Sequence, residues 1–297
     1  MFRLPILRLA LGVCLAFAWL AQPVLAQSAA EMQRQIKEAL ATIQAIEAHE
    51  QRDRDRVTGR EIYKAACMTC HGIKGDGNGP SARNLDPRPR DFTKGVFKWR
   101  TTAYGTLPTV EDLERTIAEG VSGTDMFPFG SILSKKNRDA VARYILHFTP
   151  QYDDDSLPVS KPILSMELKR PFPTSEDSVA KGKALFTSKG CTACHGIEGN
   201  GEGPASGALK DVWGFPIKPW DFTLGYYKSG VSDADLFRTI TTGPYGTPMP
   251  GYGPMTSETE RWNLVDYVRS LSHRSSGIIT WLFREEPSGR VYDEPAR

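Results

Sequence analysis

Two short runs of this 297-residue sequence carry side chains spaced for chemistry: Cys67-Met68-Thr69-Cys70-His71 and Cys191-Thr192-Ala193-Cys194-His195. Cysteines at i and i+3 on a short helix hold two thiols about one turn apart. That spacing suits two thioether bonds to the vinyl groups of one haem, with the following histidine turned toward the iron. A disulfide set, a thioredoxin-like redox pair and a zinc site compete for the same cysteines. None of them requires histidine directly after the second cysteine, and here it follows both times. The fifth cysteine, Cys14, lies in an N-terminal segment expected to be removed.

The two motifs belong to a repeat with a spacing of 123 to 124 residues. Gly59 and Tyr63 match Gly182 and Phe186; the glycine-rich runs ending at Pro80 and Pro204 match each other. Asp91-Phe92-Thr93 recurs as Asp221-Phe222-Thr223, and Leu113 to Ile117 as Leu236 to Ile240. Each unit also has a methionine at nearly the same distance beyond its histidine, Met126 and Met249, in Gly/Pro-rich loops. Most methionines fill cores. Recurrence in loops rather than on a helix face instead predicts that both thioethers are the second axial ligands, soft donors that favour ferrous iron.

The elements that must position these groups read as helices and loops. Apolar residues at helical spacing cover Arg60–Ala66 and Ala180–Ser188, ahead of the motifs. A second helix starts at Thr109 and Ser232, each with Asp three places on, and ends by Gly120 and Gly243. The last helix of each unit spans Asn137–Phe148 and Ser257–Leu271, the latter opened by a Ser257/Glu260 capping box. The glycine-rich runs lack a preceding strand and a following Lys-Ser/Thr, so they read as tight turns rather than phosphate loops. Aromatics in the insertions, Phe92, Phe97, Trp99, Trp213, Trp220, Tyr226 and Tyr227, serve either as haem-edge walls or as ordinary core.

Outside the repeat, residues 1–26 read as a signal peptide: Arg3 and Arg8, an apolar run from Leu9 to Ala21, and Val24-Leu25-Ala26 before the cut. No integral membrane span is expected in the mature chain. Without the signal, the 37 basic residues fall to 35, equal to the 35 acidic ones. A neutral chain excludes nucleic acid as a natural partner. Residues 27–57 form an amphipathic helix, 150–177 a proline-rich extended connector, and 275–297 a tail with the apolar run Ile278–Phe283.

On these motifs each unit resembles a class I cytochrome c, and the whole resembles a dihaem c-type cytochrome. The resemblance implies an all-α fold of two tandem domains, residues 58–149 and 178–274, each with one covalently attached haem c. It also implies that Gly59 and Tyr63 pack on Tyr144, and Gly182 and Phe186 on Tyr267. In that family a proline carbonyl accepts a hydrogen bond from the proximal histidine, a role that Pro80 and Pro204 would take. With both irons held by His71 and Met126 or His195 and Met249, there is no catalytic residue to find. The expected function is electron transfer in the periplasm between a donor oxidoreductase and another redox protein or terminal enzyme. A dihaem peroxidase and a haem-bearing subunit of a larger oxidoreductase are the alternatives. Lys94, Lys98, Arg100, Lys135 and Lys136 form a candidate docking patch.

Overall fold

The protein's structure is a computed structural model that describes the backbone of residues 5–152, 160–230 and 232–272, with side chains from residue 31. It divides into two compact units, Met1–Arg54 and Asp55–Arg297. Along the chain run α1 (Pro5–Ala66), α2 (Met68–His71), α3 (Val110–Glu119), α4 (Lys135–Leu146), α5 (Glu176–Ser188), α6 (Thr192–His195), α7 (Asp233–Thr242) and α8 (Glu258–Ser270). Short 3-10 turns lie between them; among the described residues the only β-pairing is two isolated bridges. The fold is all-α.

The first unit holds the part of α1 that ends at Arg54, in which Met32, Ile36, Leu40, Ile43 and Ile46 are all exposed. The expected signal segment lies outside the residues with described side chains. The tail after Ser275, with its apolar run, lies outside the described residues altogether.

Both repeats lie in the second unit, and each folds as local chemistry dictates. Thr109 Oγ1 accepts from Asp112 N while Asp112 Oδ2 accepts from Thr109 N, both at 3.0 Å, so α3 starts on a reciprocal cap. Ser232 with Asp235 opens α7 in the same way, and Ser257 with Glu260 opens α8. Gly120 and Gly243, with φ of 68° and 66°, turn the chain out of α3 and α7.

Apolar faces then close two cores. Tyr63, Leu113, Ile117, Val141, Ile145 and Leu146 are buried together in the first, and Phe186, Leu236, Phe237, Ile240, Trp262, Val265 and Tyr267 in the second. A Cβ on Gly59 would overlap the carbonyl of Ala140, and one on Gly182 the carbonyl of Asn263. Hydrogen in place of a side chain is what lets the first helix of each repeat cross the last one so closely. Tyr63 then meets Tyr144 at 5.5 Å and Phe186 meets Tyr267 at 5.2 Å between ring centroids.

The described part of the connector is tied down rather than loosely extended. Ile163 N donates to Thr101 O (2.8 Å), and Leu164, Leu168 and Phe172 pack on the second core. Arg170 and Thr174 both bond the buried carboxylate of Asp266, which also accepts from Ser178 Oγ (2.6 Å).

Two of the contacts between the repeats are polar and buried. Arg100, only 1% exposed, donates to Thr242 O (2.8 Å) and Gly243 O (3.1 Å), the carbonyls that end α7. A cation at a helix C-terminus satisfies orphan acceptors and the helix dipole together. Arg115 on α3 pairs with Asp235 on α7 at 2.7 Å. Arg100 is therefore no part of an exposed docking patch: its buried guanidinium is taken up by Ala103 O and Phe97 O of its own repeat and by the two carbonyls that end α7.

Candidate haem centres

Each attachment helix is a single turn, and the glycine-rich loop after it folds back onto that turn. Gly77 N donates to His71 O (2.9 Å), Gly79 N to Cys70 O (3.1 Å) and Ser81 N to Thr69 O (3.0 Å); Gly201, Gly203 and Ala205 repeat the pattern at His195, Cys194 and Ala193. A Cβ on Gly79 would run into the carbonyl oxygens of Met68 and Thr69. The loops are tight turns that brace the motifs, as their composition predicts.

This bracing carries Pro80 and Pro204 outward, where both are exposed. Neither proline carbonyl is the histidine's partner. His71 Nδ1 instead lies 3.1 Å from Arg90 O, and His195 Nδ1 lies 3.3 Å from Trp220 O. A carbonyl only accepts, so Nδ1 carries the hydrogen and Nε2 keeps its lone pair for a metal. Burial pushes the titration of both imidazoles down, which favours that neutral form; at His71 the Arg90 guanidinium adds to it and the hydrogen bond opposes it.

Arg90 and Trp220 each immediately precede the repeated Asp-Phe-Thr. Asp91 Oδ1 accepts from Thr93 N (2.8 Å) and Thr93 Oγ1 (2.6 Å), and Asp221 does the same at 2.9 and 2.6 Å. The capped turn aims Phe92 at His71 and Phe222 at His195, each ring pair stacked at 4.5 Å. The recurrence of Asp-Phe-Thr in both repeats was the signal for this histidine support.

In the first repeat, Cys67, Cys70, His71 and Met126 line one cavity. Leu113, Ile117, Val141 and Ile145 supply apolar wall, with Phe92, Phe97 and Trp99 among the predicted aromatics. Arg88, Arg90, Lys98 and, from the second repeat, Lys228 add positive charge against one acid, Asp125. The fit to haem is good: an apolar macrocycle bearing two carboxylates needs apolar walls with cations beside them. Burial, followed by Arg90 and Lys228, pushes Lys98 down to about 7. Lys98 thus faces the cavity rather than forming a docking patch.

The second repeat reproduces the framework. Cys191, Trp220, Phe222 and Tyr252 each pack against the second core. The loops around the methionines share a key bond: Met126 N donates to Thr124 Oγ1 (3.2 Å) and Met249 N to Thr247 Oγ1 (3.3 Å). Phe129 N to Ile117 O (3.0 Å) is repeated by Tyr252 N to Ile240 O (2.8 Å). Trp213, Trp220 and Tyr226 lie toward the other repeat, while Tyr227 is core.

The competing readings of the cysteines find no geometry. No two of the four pair as a disulfide, and among the described residues no three His, Cys, Asp or Glu side chains gather as a metal site. Burial pushes the Cys67 thiol up to about 11 and raises Cys191 too, opposite to the depressed thiol of a redox-active pair.

The cytochrome c family model matches residues 179–272, and the model for cytochrome c oxidase, cbb3-type, subunit III matches residues 54–145. The cbb3-type cytochrome c oxidase subunit FixP of Azorhizobium caulinodans is 27% identical over 223 residues, 73% of this chain and 59% of that protein. The cbb3-type cytochrome c oxidase subunit CcoP of Helicobacter pylori is 30% identical over 148 residues, 48% of this chain and 38% of that one. The chain thus spans less than two thirds of either curated relative. Among solved structures, a chain of the Kuenenia stuttgartiensis reducing HAO-like protein complex is 40% identical, with a TM-score of 0.66 over 72% of this chain and 96% of that chain. With one attachment motif inside each matched segment and that relative covered almost end to end, the chain belongs to the dihaem c-type cytochromes and carries two covalently attached haems.

Proposed function

We propose that this protein is a periplasmic electron relay that takes electrons from a donor oxidoreductase and passes them to another redox protein or a terminal enzyme. The observation that carries this reading is the presence of Met126 in the same cavity as Cys67, Cys70 and His71, on a loop that Met249 repeats. The haem supplies one-electron chemistry when bound. The chain's part is to hold the ligands: Arg90 O and Trp220 O fix the imidazoles, Thr124 and Thr247 shape the methionine loops, and apolar walls keep water out. Imidazole and thioether together leave no position for a substrate, so no side chain has a bond-making task. The signal-like start supports export, and no helix among the described residues is long and apolar enough to cross a membrane.

Met126→Ala and Met249→Ala test the assignment. Each is expected to remove about half of the methionine-to-iron absorption at the red end of the ferric spectrum and to lower one haem's potential. Spectra untouched by both changes would overturn it, and rapid turnover of hydrogen peroxide by the wild type would favour a dihaem peroxidase instead. A second reading, a haem-bearing subunit of a larger oxidoreductase, draws on relatives that are an oxidase subunit and a chain of a protein complex by description. Co-purification with an enzyme through sizing chromatography would select it over a free shuttle.

A further inference from the structure

The methionine loops open on matched glycines, Gly123 in Gly123-Thr-Asp-Met126 and Gly246 in Gly246-Thr-Pro-Met249. Both are left-handed, with φ of 72° and 87°. What presses most closely on each comes from the other repeat. A Cβ on Gly123 would lie 2.6 Å from Trp220 Cη2 and 3.3 Å from Tyr226 Cε2; one on Gly246 would lie 2.6 Å from Val96 Cγ1 and 3.5 Å from Arg90 Nη1, with Val212 Cγ2 of its own repeat at 3.4 Å.

Trp220 and Arg90 are also the two residues whose carbonyls face the proximal histidines. They occupy corresponding places, one residue before Asp-Phe-Thr, and each side chain is held firmly. The Trp220 indole donates to Tyr226 O (2.5 Å) with the Lys228 ammonium 4.8 Å from its ring centre, and the Arg90 guanidinium lies 4.3 Å over Trp213. Domains that were merely strung together would have no reason to place the histidine support of each one on the methionine loop of the other.

We propose that the two domains seat each other's axial methionine: Trp220 is a positioning residue for Met126, and Arg90 is one for Met249. The inference rests on the reading that both methionines are ligands. Through one residue, a shift in either methionine loop reaches the histidine of the other centre, so the two haems are coupled, and the coupling acts in both directions.

The test uses the full holoprotein, with covalent attachment of both haems checked after denaturation. Met249→Ala leaves only the absorption that belongs to Met126. Adding Trp220→Leu, a change in the other domain, is expected to cut that remaining band to about half or less. Trp220→Phe, which keeps a ring over Gly123, is expected to restore most of it. Arg90→Leu in a Met126→Ala background is expected to do the same to the band of Met249. A Met126 band that survives Trp220→Leu unchanged overturns the inference while leaving the ligand assignment intact. Absence of the band from the wild type brings down that assignment, and the inference with it.

Discussion

The ring of Phe222 lies parallel to that of His195, with 4.5 Å between centroids and 19° between planes. Phe92 and His71 adopt the same arrangement at 4.5 Å and 18°, although the residues around them differ. What the two places share is an aspartate cap one residue earlier that closes the turn on the threonine. Asp221→Ala is expected to cost about 1 kcal/mol, the usual worth of such a cap, and to loosen His195 without touching His71. Thermal unfolding of the holoprotein and the ferric proton spectrum of each haem would check it; equal disturbance of both histidines would contradict it.

The crossing of α5 and α8 depends on Gly182. Replacement by valine forces a side chain into Asn263 O and is expected to destabilise the second domain by about 3 kcal/mol, at the upper end for overpacking. Denaturant unfolding followed separately at the two haems should show the second centre lost first.

Arg100 joins the repeats from a nearly water-free position. Leucine there fills similar space but leaves Thr242 O and Gly243 O without their donors, at a cost of about 3 kcal/mol or more. An urea midpoint unchanged by Arg100→Leu would show that water replaces those bonds.

Lys98 gives the first centre a response to pH. Its ammonium, pushed down to about 7, lines the cavity of the first haem. Below that pH the positive charge favours the reduced iron; above it the charge is gone. The first haem's potential is therefore expected to fall as pH rises through neutrality, and Lys98→Met to lie near the high-pH value throughout. Spectroelectrochemical titration over about pH 6 to 8 would decide it, and a slope that persists in Lys98→Met would assign the effect to another group.

Much of this molecule was legible before any folding. The attachment motifs are fixed by covalent spacing along a few residues, and the capping pairs Thr109/Asp112 and Ser257/Glu260 act within one turn of helix. The repeat made Met126 and Met249 visible because a loop methionine has little reason to recur by chance. The acceptor for the proximal histidine was another matter, and expectation settled on Pro80 and Pro204. Every residue carries a carbonyl, so nothing in a side chain marks Arg90 or Trp220 as the one that faces an imidazole 19 or 25 residues away. The same holds for Arg100, which reads as surface charge until α7 places two unpaired carbonyls beside it. Local chemistry wrote the helices and ligands into the sequence; the partners of backbone groups were decided only when distant segments met.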